Sequence, residues 1–501
     1  MTENSTKNKN SSYRQIMKAT SIFGGVQVFN IIISIVRSKV IALLLGPAGM
    51  GIAGLLNSTL NIIGSISNFG LGISAVKDIA EANQEGDEIQ ISRVIIVMRR
   101  LVWFTGLLGA IATFFLAPWL SELSFGNYEY TIAFRWLSIT LLVKQLSSGQ
   151  FVLLQGMRKL NHLAKANMLG SVFGLIITIP LYYYYNIEGI VPAIIITAFM
   201  TLAINRYFSS KIKIRETKVS AKETKVIGKG MLVLGFVLSL SGLMASAESY
   251  VVRIFISNIG GIEEVGLYNA GVAIITTYVG LVFTAMGTDY YPRLAGVSKD
   301  NVKTAELINQ QAEIAVLILA PILATFLIFI NWVIIILYSD KFIGVSAMIY
   351  WAALGMFFKA ASWCIAFIFP AKGASKLYFW NELVAIIILG GSNVLGYYLA
   401  GLTGLGISFL VAYFIYLIQV FLVAKTKYDF SFHSDFLKIF IIQFLLTLCC
   451  FLTVKFIVTP WSYFIGMPFI LISLWYSYKE LDKRINIKGI INKFRNKFRN
   501  K

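Results

Sequence analysis

Apolar runs long enough to cross a bilayer follow one another along nearly the whole chain, separated by short polar connections. About 20 apolar residues in a helix match the ~30 Å hydrocarbon core. On that basis the pattern predicts fourteen spans, at about 19–45, 50–75, 100–120, 130–154, 166–185, 188–208, 231–257, 266–290, 314–337, 343–370, 378–399, 403–424, 437–458 and 461–478. The expected fold class is an all-α polytopic membrane protein, because helices satisfy their own backbone groups where no water is present. The start of the chain is polar, and no small-residue cleavage site follows the first apolar run. A cleavable signal peptide is therefore not expected.

The pattern also repeats. Trp119 aligns with Trp332 at an offset of 213, Trp136 with Trp351 at 215, Arg37 with Arg253 at 216 and Gly156 with Gly373 at 217. Spans 1–6 and 7–12 thus read as two copies of a six-span unit. Six is even, so the copies share an orientation, as in the parallel repeats of alternating-access transporters. The expected layout is a cytoplasmic tail (1–18), an N-lobe (19–208), a basic linker (209–230), a C-lobe (231–424), two extra spans (437–478) and a basic tail (479–501).

Composition supports the class. Of the 501 residues, 57% are hydrophobic and 14% charged, against about 25% charged in a soluble protein. The net charge of +20 raises the question of nucleic acid, but the cations sort by side of the membrane. Lys7, Lys9, Arg14 and Lys18, the cluster from Lys211 to Lys229, and the basic residues after every even-numbered span share one side. The opposite loops are short and carry Glu122, Glu129, Glu263 and Glu264, with Lys341 the one cation. The positive-inside rule then places both termini in the cytoplasm. The charge reads as topology and as attraction to anionic membrane lipids. No basic patch is interleaved with an aromatic RNA- or DNA-binding motif, so no nucleic-acid partner is expected. Cys364, Cys449 and Cys450 lie in apolar runs, and His162 and His433 in polar connections. These give no disulfide framework and no metal-ligand spacing, so neither a metal nor a cofactor is expected.

With spans and repeat in place, four stretches carry a family resemblance. They are "LGPAGMGIAGLLNSTLNIIGSISNFGLGISAV" (Leu45–Val76), "EEVGLYNAGVAI" (Glu263–Ile274), "YYPRLAGVS" (Tyr290–Ser298) and "YSDKF" (Tyr338–Phe342). In their order and hydropathy layout, residues 15–425 resemble the Wzx-type flippases of the multidrug/oligosaccharidyl-lipid/polysaccharide exporter superfamily. The resemblance implies two six-helix lobes around a central cavity, and a polyprenyl-pyrophosphate-linked oligosaccharide as cargo. It also implies a bacterial inner-membrane location and a place in O-antigen, lipopolysaccharide or capsule-like biosynthesis, beside a polysaccharide polymerase and a chain-length regulator.

Four cations within the spans form repeat-related pairs, Arg37 with Arg253 and Lys144 with Lys359. Lys144 lies 14 residues from Arg158, and Lys359 lies 13 from Lys372. Both therefore sit ~20 Å from the cytoplasmic boundary along a helix. Arg37 and Arg253 are also near enough to the outer surface to snorkel. Polar stripes at helical spacing accompany the arginines. They are Gln27, Asn30, Ser34 and Arg37; Asn57, Asn61, Gly64 and Asn68; Ser239, Gly242, Ser246, Ser249 and Arg253; and Asn269, Thr276, Gly280 and Thr284. Such stripes serve as interhelical glue or as the wall of a wet cavity. Four at matching places favour the wall. Amides and hydroxyls suit sugar hydroxyls, and Arg and Lys suit a pyrophosphate. Glu248 reads as a lysine neutraliser, a coupling-proton carrier or half of an ion pair.

Three function classes can be compared. A lipid-linked oligosaccharide flippase fits the cationic spans. A cation-coupled drug or metabolite antiporter, the alternative on the same fold, expects a carboxylate-rich cavity. A membrane enzyme such as a polymerase or glycosyltransferase expects a large outer loop or a carboxylate pair on a metal or sugar, whereas the outer loops here are a few residues long and no Asp-x-Asp occurs.

Overall fold

The structure is a computed structural model that describes residues 25–215 and 217–485. The expected tail at 1–18, the start of span 1 and residues 486–501 of the basic tail lie outside the described residues. Every described element is helical, with no strand among the described residues. The first helices are α1 (Gly25–Leu44), α2 (Gly46–Asn68), α3 (Leu71–Glu85), α4 (Glu88–Phe125), α5 (Thr131–Gly156), α6 (Leu160–Tyr185), α7 (Ile190–Ser209) and α8 (Ala221–Gly260). After these come α9 (Ile262–Val272), a π-helical stretch (Ala273–Val279), α10 (Leu281–Gly296), α11 (Asn301–Leu337), α12 (Ser346–Ala366) and α13 (Ile368–Ala371). The last three are α14 (Ser375–Tyr428), α15 (Ser434–Phe456) and α16 (Trp461–Ile485).

Eleven helical segments among the described residues are long and apolar enough to cross a bilayer. Two of these cross twice. Leu160–Ser209, of 50 residues, turns at Asn186–Gly189. Ser375–Tyr428, of 54 residues, breaks at Ala400 and Gly401, where Gly401 has φ 56°. The two arms of α14 then fold back on each other: the Ser408 hydroxyl donates to Asn393 Oδ1 at 2.8 Å. With α16 these crossings make the fourteen spans expected.

Several helices run past their apolar stretches at their N-terminal ends. The helix of span 3 begins at Glu88 rather than near 100, and that of span 7 at Ala221 rather than near 231. Caps explain both extensions. The Asp87 carboxylate accepts from the backbone N–H groups of Ile89 and Gln90. Ser220 and Glu223 form a reciprocal capping box. Donation from the Ser220 backbone N–H holds the Glu223 carboxyl below its ordinary range. Asp300 caps α11 in the same way, and the Lys303 backbone N–H lowers its carboxyl.

The chain divides into two compact units, Met1–Gly266 and Leu267–Lys501. In the first, a core of Leu71, Ile79, Val94, Met98, Leu153 and Phe208 joins α3, α4, α5 and α7. Tyr250 of α8 ties in α2 and α4: its hydroxyl lies 3.2 Å from Thr59 Oγ1 of α2 and 2.9 Å from Ser124 Oγ of α4. At three places the backbones touch. A Cβ on Gly51 would stand 2.0 Å from the Ile262 carbonyl oxygen, one on Gly266 1.9 Å from that of Pro47, and one on Gly70 1.9 Å from that of Gly235. Only glycine permits such approaches.

In the second unit α15 and α16 pack on α11, and α15 also on α12. Phe357 of α12 meets Phe440 and Phe444 of α15 edge-on at 5.9 and 5.5 Å. Gln443 of α15 is fully buried and satisfied by Ser473 and Ser477 of α16 at 2.6 and 2.7 Å. Arg484 of α16 pairs with Glu313 of α11 at 2.6 Å. The two extra spans also account for a broken repeat pair. Trp136 is 66% exposed, whereas its mate Trp351 lies against Phe451 of α15, with ring centroids 4.8 Å apart. Trp119 and Trp332 remain alike at 55% and 57% exposed, although Trp332 Nε1 donates to the Tyr463 hydroxyl of α16 at 3.0 Å.

Candidate functional site

Within the first unit Arg37 of α1 and Lys144 of α5 line one cavity of about 490 Å³. Its walls also include Asn57 of α2, Thr178 and Tyr182 of α6, and Thr197, Thr201 and Asn205 of α7. Arg37 reaches this space through a gap at Gly174, where a Cβ would fall 2.5 Å from its Nη2. Asn205 is oriented by α5, donating to the Ser147 hydroxyl at 2.8 Å. Thr178 donates to the Gly174 carbonyl at 2.8 Å. Arg37 Nε and Thr197 Oγ1 are buried with no hydrogen-bond partner among the described residues. No Asp or Glu is among the residues lining the cavity. The result is a polar, cationic space at membrane depth, with donors in excess of acceptors. Such a lining is chemically complementary to an anion bearing hydroxyls.

The repeat mate Lys359 lines a second cavity, of about 280 Å³, within the second unit. Its ammonium lies over the Tyr413 and Phe409 rings at 5.1 and 5.7 Å. Glu382 lines this same cavity and accepts from the Tyr416 hydroxyl at 2.9 Å. Asp289 is an exposed partner of Arg293 at 3.1 Å. The second cavity is thus aromatic and of mixed charge. Arg253 is half-buried on α8 and donates to the backbone carbonyl of Ser249 at 2.8 Å and to its hydroxyl.

The polar stripes divide into different roles. Asn57 lines the first cavity. Asn30 joins helices: it donates to Asn167 and accepts from Ser171 of α6, both at 2.8 Å. Asn68 accepts from Gln145 of α5 at 2.9 Å. Gln27 and Asn61 are exposed. Ser246 and Thr276 donate to carbonyls four residues back on their own helical turns, Gly242 and Val272. Asn269 and Glu248 are half-buried, in the second and first units respectively.

Sequence reading passed over α7. Its Thr197, Thr201 and Asn205 stand four residues apart, a polar line inside a run that reads as apolar. The periodicity is there to be found, but threonine is too common in membrane helices to stand out alone. Glu382 follows Lys372 and Lys376 closely, a position that reads in sequence as a membrane boundary. The helix runs inward from Ser375, which carries it two turns deep.

Comparison with known proteins places this geometry in context. A family model described as "Polysaccharide biosynthesis protein" matches residues 40–347. The Lipid III flippase of Escherichia coli (strain K12) is 20% identical over 364 residues, 70% of this chain and 84% of that protein. Among solved structures, the lipid II flippase MurJ in its inward closed conformation superposes with a TM-score of 0.70 at 13% identity, covering 93% of this chain and 99% of that one. An inward-facing multidrug resistance MATE family transporter of the MOP superfamily gives 0.66 at 15% identity, covering 80% and 94%. The two structures share the fold, and the family match spans more than half of the chain. The resemblance carried by the Leu45–Val76 and Glu263–Ile274 motifs therefore holds, and the chain belongs to the polysaccharide biosynthesis protein family.

Proposed function

We propose that the protein is a flippase, not an enzyme. It moves polyprenyl-pyrophosphate-linked oligosaccharide units from the cytoplasmic to the outer leaflet by alternating access, for surface polysaccharide of the O-antigen or capsule type. The observation that carries this reading is the convergence of Arg37 and Lys144 on one carboxylate-free cavity lined by amides and hydroxyls. A pyrophosphate bears about two or more negative charges, and moving it bare through hydrocarbon would cost many kcal/mol. Cations held at membrane depth replace its hydration, and the amides meet the sugars. The antiporter alternative needs a carboxylate for an organic cation, and none lines this cavity. The cytoplasmic membrane is the proposed location, with a polymerase and a chain-length regulator acting on the product.

The direct test is translocation in proteoliposomes. A fluorescent polyprenyl-pyrophosphoryl saccharide should move from the inner to the outer leaflet only when the purified protein is present, as followed by quenching from outside. Export of an organic cation without movement of the saccharide would favour the antiporter instead.

Orientation has its own test. The loop at Asn127 should face outward and the linker at Lys218 inward, as the sorting of cations requires. A cysteine at Asn127 should react with an impermeant maleimide in intact cells. One at Lys218 should react only after permeabilisation. Labelling of both from the same side would overturn the assignment.

A further inference from the structure

A third cavity, of about 320 Å³, opens in the first unit between α4 and α7 across α5. It shares no lining residue with the cavity of Arg37 and Lys144. On α5 the two spaces take alternate faces: Ser147, Ser148 and Phe151 turn to one, Leu146, Gly149 and Gln150 to the other. Arg99 of α4 and Arg206 of α7 both line the third cavity. They are close enough for the charge of Arg206 to act on Arg99. Neither takes part in an ion pair among the described residues, and no Asp or Glu lines the space. The neighbouring Arg100 is different: it is engaged by the Val219 carbonyl and the Thr224 hydroxyl at 3.0 and 2.6 Å. Two like charges facing one space without a counter-charge call for an external anion.

Position and surroundings say which anion. Arg99 stands where the apolar run of α4 begins, and Arg206 where that of α7 ends, both at the cytoplasmic boundary by the sorting of cations. From Arg99 inward, Trp103, Leu107 and Ile111 follow at four-residue spacing and are 56%, 49% and 47% exposed. This is one helix face, turned to lipid. A tryptophan one turn inside a pair of arginines is the pattern of an interfacial anchor. We infer that this cavity is a binding site for the headgroup of an anionic phospholipid. Its phosphate lies between the guanidiniums of Arg99 and Arg206, and an acyl chain runs along Trp103, Leu107 and Ile111. Gln150 and Ser210 on the rim offer an amide and a hydroxyl to the headgroup. The cavity's separation from the space of Arg37 and Lys144, and the apolar strip leading out of it, favour a resident membrane lipid over the transported molecule.

The experiment is native mass spectrometry of the full chain in detergent, titrated with phosphatidylglycerol or phosphatidylethanolamine. The wild type should hold phosphatidylglycerol about tenfold more tightly, as two charge-assisted contacts allow. The double variant R99Q/R206Q should lose that preference, R99K/R206K should keep most of it, and R37Q/K144Q should leave it unchanged. A preference that survives R99Q/R206Q overturns the site. If R99Q/R206Q fails to fold, the outcome rests on Arg99→Gln and Arg206→Gln singly, each of which should lower the preference severalfold. Polyprenyl pyrophosphate should leave the bound phosphatidylglycerol in place, in the wild type and in R37Q/K144Q alike, which keeps the cavity lipid-specific. Displacement that depends instead on Arg99 and Arg206 assigns it to the cargo and overturns the inference.

Discussion

Arg37→Ala or Lys144→Ala should abolish the surface glycan while leaving the protein at its normal level in the membrane. Both side chains line the same cavity, and no acidic residue there depends on them for neutralisation. Their removal therefore leaves no buried charge unpaired, the usual route by which deleting one partner destabilises a fold. The loss falls on the cargo. A charge-assisted hydrogen bond is worth about 1.5–3 kcal/mol, so losing one slows transport by about ten- to a hundredfold. Arg37→Lys should recover part of the activity, because it keeps the charge but not the forked geometry that grips two phosphate oxygens. The measurement is surface glycan by blot or lectin staining in cells whose own flippase is deleted, beside membrane levels of each variant. Normal glycan in the double variant R37A/K144A would remove these residues from the transport path. Gly174→Leu gives an independent check, since a side chain there fills the gap through which Arg37 reaches the cavity. It should match Arg37→Ala.

How legible was this in the sequence? The spans were, because hydropathy is a local property and each membrane helix must be apolar by itself. The repeat is legible through residues such as Trp119 and Trp332, which sit alike near the C-terminal ends of α4 and α11. Lys144 and Lys359 were found as cations at unusual depth, and each lines a cavity of its own unit. The chemistry of those cavities was less legible. Glu382 and Tyr416 are separated by a helix reversal that sets α14 against itself, and periodicity along one helix cannot show what the returning arm presents. The stripes posed the same problem. Asn30 and Asn57 look alike on a helical wheel, yet one bonds to Asn167 of a neighbouring helix and the other lines the cavity. Which happens depends on the facing helix, and that information is not local.

The motifs that carried the family resemblance have a different physical meaning from the cations. "LGPAGMG" supplies Pro47 and Gly51, and "EEVGLYNAG" supplies Gly266. These are the residues at which α2 and α9 touch backbone to backbone, with Gly51 against Ile262 and Gly266 against Pro47. The family signature at this point encodes a helix contact rather than a ligand contact. Gly51→Leu should therefore be severely destabilising. The Cβ alone would lie 2.0 Å from a carbonyl oxygen, and backbone, unlike a flexible side chain, cannot turn aside. Overpacking typically costs about 1–3 kcal/mol, and separating two helices to admit a leucine belongs at or above the top of that range. Gly266→Leu should behave alike. Gly230→Ala on α8, where a Cβ meets nothing within 4 Å, is the control. It should be neutral or stabilising, because alanine is favoured over glycine in a helix by about 1 kcal/mol. Thermal stability in detergent, read by size-exclusion recovery after heating, distinguishes these outcomes. A Gly51→Leu protein that withstands heating as the wild type does would mean that α2 and α9 stand farther apart than the structure has them, and the motif would then need a role at the site.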